Sequence, residues 1–126
     1  MRESIRTPLG KVRGLGAAKE GVHHFIVQRV SAIALLFLLP WFLISMLLAV
    51  RGGYQGAVDF IAHPLNAVLA LMTLGATLYH MQVGMQVVIE DYIGKTGTRI
   101  FLLLLNTFFA VALFAAAAFS ILEIAT

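Results

Sequence analysis

The chain contains no cysteine, and only 12% of its 126 residues are charged. Without thiols there is no disulfide, no thioether-attached haem and no thiolate-held iron–sulfur cluster. That absence says nothing of compartment, because a bilayer protein needs no disulfide. The shortage of charge excludes more. Soluble domains run at about 25% charged and ~45–50% apolar residues, whereas 60% of this chain is hydrophobic and its mean hydropathy is +0.93. A disordered chain, a nucleic-acid-binding domain and most soluble enzymes are thereby excluded, and the membrane class is left. The length allows a single domain, residues 1–126, with no internal repeat.

What charge there is lies at particular places. The net charge is +3, and six of the basic residues (Arg2, Arg6, Lys11, Arg13, Lys19 and Arg29) precede the first apolar run. No aromatic residues interleave them as base-stacking platforms, so they read as the basic flank of a membrane span and not as a nucleic-acid surface. Residues 30–50, 65–89 and 100–122 carry no charged side chain. Each run is long enough for a hydrocarbon core of ~30 Å, which takes about 20 helical residues. None alternates in the manner of a barrel strand. The expected fold is therefore all-α: three transmembrane helices forming part of a heteromeric bundle.

Arg51, Gly52, Gly53 and Gly56 interrupt the first run, and Pro64 suits the first turn of the second helix. Gly94 and Gly97 separate the second and third. Pro40 falls inside the first helix, with Trp41 beside it at a depth that suits packing. Eight of the nine basic residues fall on one side of the membrane and Arg51 alone on the other. The N-terminal segment 1–28 and the loop carrying Lys95 and Arg99 are thus expected in the cytoplasm, and the C-terminus in the periplasm. The N-terminal segment lacks the short apolar run and small-residue cleavage pattern of a secretory signal. Its arginines leave a mitochondrial inner membrane as second choice after a bacterial inner membrane. Residues 14–16 lack the third glycine and the preceding strand of a dinucleotide fingerprint.

Within the apolar spans, His80 is the exception. It lies about 14 Å from the cytoplasmic end of its span at 1.5 Å per residue, and ionisable groups at such depth are expensive and commonly functional. A neutral imidazole can ligate haem iron; it can equally hydrogen-bond across a bundle. Thr73, Thr77, His80, Gly84, Val87 and Asp91 share a helical stripe. Gly84 omits the side chain that would obstruct a flat macrocycle, although small residues also serve plain helix packing. Glu90, Asp91 and Tyr92 close the span. A tyrosine belongs at the interface, but two acids at a helix C-terminus oppose the macrodipole, unless Lys95 and Arg99 compensate or a partner is held there. Arg29 can snorkel to headgroups or pair with an anionic cofactor group. His23 and His24, being adjacent, point to different faces. His63 reads as a loop residue on the opposite side. No nucleophile–base pair, carboxylate dyad or phosphate loop accompanies these residues, so the chain alone is not a complete enzyme.

The segments GVHHFIVQRVSA from Gly21 and HMQVGMQVVIEDY from His80 resemble the small hydrophobic anchor subunit of succinate dehydrogenase, respiratory complex II, over nearly the whole chain. The resemblance implies a heterotetramer with a flavoprotein subunit, an iron–sulfur subunit and a second membrane anchor. It implies that His80 is an axial ligand of a haem b shared with the second anchor. Arg29, with His23 or His24, would lie on the haem propionate side, and Tyr92 and Asp91 at the ubiquinone site. Electrons from succinate would then reach ubiquinone. Three other readings stand beside it: the anchor of a quinol:fumarate reductase, a small homo-oligomeric transporter or proton channel relaying through His80 and Asp91, and a purely structural assembly protein.

Overall fold

The computed structural model describes residue 5, residues 7–13 and residues 19–126. Arg2, Arg6 and the glycine-containing segment 14–16 lie outside the described residues. The elements are α1 (Pro8–Arg13), α2 (Lys19–Ala49), a 3-10 turn (Val50–Gly52), α3 (Gly53–Ala62), α4 (Pro64–Tyr92) and α5 (Thr96–Ala125). The described residues contain no strand. Among the described residues, three stretches are long and apolar enough to cross a membrane: Gly21–Ala62, Pro64–Tyr92 and Thr96–Ala125.

The expected spans 65–89 and 100–122 lie inside longer helices, and 30–50 lies in α2 except for Val50, which begins the 3-10 turn. The apolar run marks the part that needs a lipid-compatible surface, while backbone hydrogen bonding carries the helix onward into the polar interface. Helix α2 thus starts at Lys19 and includes Arg29. It also runs through Pro40 without ending there. Pro64 occupies the start of α4, after His63 in an extended conformation. A proline is at home there because its missing N–H has no partner in a first turn.

Pro8–Arg13 is a short helix, with Thr7 Oγ1 accepting from the Gly10 N–H at 3.0 Å. Threonine at this position supplies the acceptor that a helix start lacks. One expectation is corrected: the segment after Arg51, expected only as a break between spans, forms the ten-residue helix α3. Among the described residues only Gly53 adopts a left-handed φ, at +71°. One residue absorbs the reversal, and the chain returns to helical geometry at once. Gly56 then passes so near the α2 terminus that a Cβ there would collide with the Ala49 carbonyl oxygen. Gly56→Ala is therefore expected to destabilise this corner by about 1–3 kcal/mol, measurable as a lower midpoint of thermal unfolding in mild detergent.

Helix α4 is central. It packs against both α2 and α5, while among the described residues α2 and α5 do not pack on each other. Helix α3 lies across the ends of all three. Its Phe60 ring sits 6.0 Å from that of Trp41, which gives Trp41 the packing role expected of its depth, and the Asn66 amide donates to the Phe60 carbonyl at 3.0 Å. Between α4 and α5, Asn106 donates to the Gln82 carbonyl at 2.9 Å and Gln82 donates to the Thr107 hydroxyl at 3.3 Å. Such bonds hold helices together where lipid offers no hydrophobic force between them. Apart from Ile61 and Ile89, the buried side chains among the described residues are small or compact: Ser31, Ala67, Ala70, Thr73, Val83 and Ala110. Large apolar side chains such as Phe37 and Phe108 stand exposed on the outside, as suits a bundle that meets lipid and further helices.

Candidate functional site

The polar residues of α2 and α4 meet along one seam. At about 100° per residue, His24, Gln28 and Ser31 share a face of α2. Opposite them, α4 offers His80, Val83, Gln86, Val87 and Glu90. At the inner end of the seam, the Ser31 Oγ donates to the Gln28 carbonyl at 2.8 Å and lies 3.2 Å from His80 Nδ1. His80 itself is half-buried. Towards the α4 terminus the seam opens into a cavity of about 350 Å³ lined by His24, Gln28, Val83, Gln86, Val87 and Glu90.

One turn beyond His80, Gly84 leaves open space. A Cβ built there meets nothing within 4 Å, so nothing inside this chain requires glycine at that position. The space faces outward, where a flat ligand or a second helix can approach. Helix α4 continues unbroken through Asp91 and Tyr92, which puts His80 about 18 Å from its terminus at 1.5 Å per residue. Both Asp91 and Tyr92 are exposed, Tyr92 to 82%. Glu90 is held by its own helix, accepting from the Gln86 amide at 2.9 Å. An acid at this unfavourable end of the helix dipole is thus partnered by a neutral amide one turn back.

The other expected site residues are distributed unevenly. His24 lines the polar cavity; its neighbour His23 turns to another face, with their rings 6.4 Å apart and nearly perpendicular. Arg29 lies about 160° around α2 from Ser31. Its guanidinium rests 5.0 Å from the centre of the Phe25 ring. The charge therefore reaches back along the helix over an aromatic face, on the side away from α4. Within this chain the structure joins His80 to Ser31 and sets His24 and Glu90 in the lining of one cavity, with Arg29 on another face of α2. His63 is the extended residue between α3 and α4, as expected of a connection.

Two contributors escape a reading of the sequence for ionisable groups. Ser31 and Gln28 are neutral and flank the charged Arg29 in α2. The signal that finds them is a polar residue repeating at helical spacing from His24. Chemically, the seam offers two imidazoles: His80, with Ser31 as its one hydrogen-bond partner, and His24, at the polar cavity. No group of three or more His, Asp or Glu side chains gathers elsewhere among the described residues to hold a bare ion. The His80 imidazole beside an open face suits a metal that arrives with most of its ligands already in place.

Residues 3–121 match the family model described as succinate dehydrogenase/fumarate reductase transmembrane subunit. The chain belongs to this family. Among related proteins, the succinate dehydrogenase hydrophobic membrane anchor subunit of Rickettsia bellii is 34% identical over 99 residues, 79% of each chain. That of Rickettsia conorii is 33% identical over 109 residues, covering 85% of this chain and 86% of the relative. The Paracoccus denitrificans subunit is 30% identical over 115 residues, 91% of this chain and 88% of the relative. No solved structure gives a significant match. Membership in the succinate dehydrogenase/fumarate reductase transmembrane family accounts for a chain whose apolar faces are largely uncovered, since a subunit leaves surface for its neighbours as well as for lipid.

Proposed function

We propose that this chain is the membrane anchor subunit of a succinate:ubiquinone oxidoreductase, joining a second anchor, a flavoprotein subunit and an iron–sulfur subunit in a heterotetramer. The observation that carries the proposal is the half-buried His80, tied through Nδ1 to Ser31, in a chain of this family. The relatives' names favour succinate oxidation over fumarate reduction as the working direction.

The residues fit a haem b. His80 would hold the haem iron through its imidazole, the open space at Gly84 would leave room for the macrocycle, and the second anchor would supply a further ligand. The exposed Arg29, with His23 or His24 on the same turn region of α2, is assigned to the propionate side, where a guanidinium pairs well with carboxylates. Of the two histidines, His24 shares the face of Ser31 and Gln28 and is the better placed on the seam. Bound haem supplies a one-electron redox centre between the helices.

Ubiquinone is assigned to the α4 terminus. The exposed Tyr92 hydroxyl donates a hydrogen bond to a quinone carbonyl, and that bond strengthens as the oxygen gains negative charge during reduction. Asp91, also exposed, orients a basic partner or passes on one of the two protons that accompany two electrons to quinol. The chain lies in a membrane, and the basic-residue bias assigns its N-terminus and the Tyr92 end of α4 to the cytoplasm of a bacterial cell. Purification in mild detergent tests the whole reading. A b-type reduced-minus-oxidised spectrum with three co-purifying subunits is the expected result. A colourless assembly of identical chains would overturn it in favour of a transporter.

A further inference from the structure

The Ser31–His80 pair contains more than a helix–helix contact. Serine has a single hydroxyl proton. At 2.8 Å that proton is committed to the Gln28 carbonyl, which can only accept. The Ser31 oxygen therefore faces His80 Nδ1, 3.2 Å away, with lone pairs. For the second contact to be attractive, Nδ1 must carry hydrogen and donate it. Were Nδ1 bare, two lone pairs would face each other in a place where Ser31 is only 8% exposed and water is largely shut out. A neutral imidazole holds one ring proton, so with Nδ1 protonated, Nε2 carries the free lone pair.

We infer that Ser31 is the positioning residue for His80, fixing the imidazole in the Nδ1–H tautomer and aiming a bare Nε2 at the haem iron. This inference rests on the reading of His80 as an axial ligand. The Ser31 hydroxyl is well suited to the task because its own proton is fixed. Bonding to the carbonyl three residues back sets the hydroxyl's direction, and Gln28 belongs to the same helix, so the acceptor moves with α2 as a unit. Partners of this kind orient a ligating imidazole, and by accepting its N–H they raise its basicity. A more basic ligand favours the oxidised iron, so Ser31 holds the haem potential below the value an unpartnered histidine would give.

The test uses the four-subunit complex carrying Ser31→Ala, Ser31→Thr, Ser31→Cys or His80→Ala. Ser31→Ala is expected to shift the haem midpoint potential upward and to raise haem loss about tenfold during detergent exchange. Ser31→Thr is expected to restore both, because its hydroxyl sits on the same Cβ and bonds the same preceding carbonyl. Ser31→Cys keeps the volume but accepts hydrogen bonds weakly, and is expected to give a partial upward shift even if the alanine variant assembles poorly. A mere packing role would lower stability and leave the potential alone. Wild-type potential and haem retention in both Ser31→Ala and Ser31→Cys, with the spectrum lost in His80→Ala, would overturn the role of Ser31 alone. A spectrum that survives in His80→Ala would remove the ligand reading on which the inference stands.

Discussion

The His80→Ala complex is expected to lose its b-type absorption entirely while still assembling. Alanine offers no donor to iron, and no other imidazole lies within reach on this seam; His24 stands one to two turns away on α2. Assembly should survive for reasons visible in the structure. Ser31 keeps its bond to the Gln28 carbonyl, so no buried donor is orphaned by the change. The cost to the α2–α4 pair is one cross-helix hydrogen bond, about 0.6 kcal/mol on average and ~1.7 at most in a membrane. Val83, Ala70 and Thr73 continue to pack the pair. Succinate oxidation with a soluble dye is expected to continue, because that chemistry belongs to the extramembrane subunits in the proposed assembly. Added imidazole, refilling the vacated space, is expected to restore part of the spectrum. An unchanged spectrum in the untreated variant would dismiss His80 as a ligand.

Tyr92→Phe is expected to lower quinone reduction by about 100-fold, the usual scale for one hydrogen-bond donor to an oxygen that gains charge in the reaction. The ring is kept and the hydroxyl alone is removed. Tyr92 is the last residue of α4 and 82% exposed, so no internal contact depends on its oxygen and stability should hardly change. The haem spectrum should also stay as it is, since His80 is about 18 Å away along the helix. The informative measurement is a ratio: quinone reductase rate over dye reductase rate, with the same preparation in both assays. A ratio equal to that of the unmodified complex would remove Tyr92 from the quinone site.

These two residues were legible in the sequence for a simple reason. His80 stands in a run without charge, and Tyr92 ends it, so each departs from an otherwise uniform pattern. The three spans were legible for the same reason. Their ends were not, because apolar composition reports contact with lipid whereas a helix stops only where its hydrogen bonds stop. Helix α3 was hidden by Gly52, Gly53 and Gly56, which read together as a break. Only Gly53 departs from ordinary backbone geometry, and Gly56 is needed for closeness to Ala49. Glycine composition does not distinguish those two uses. Ser31 was hidden differently: a serine at the start of an apolar run, two residues after the charged Arg29, has no feature that names its partner.

The amino-acid sequence by itself determined that this is a three-span membrane protein with one deep imidazole and an acid–tyrosine pair eleven and twelve residues further along the same helix, because burial in lipid penalises every charged or polar side chain and leaves the exceptions conspicuous. Only the tertiary structure decided which helix is central, that α2 and α4 meet along His24, Gln28 and Ser31, and that Arg29 faces away from that seam. Helices that are apolar on nearly every face do not encode their neighbours in a hydrophobic stripe. Their pairing depends on where small side chains let backbones approach and where a few hydrogen bonds close between them. For His80 that closing bond is the one to Ser31, and it determines which ring nitrogen is left free.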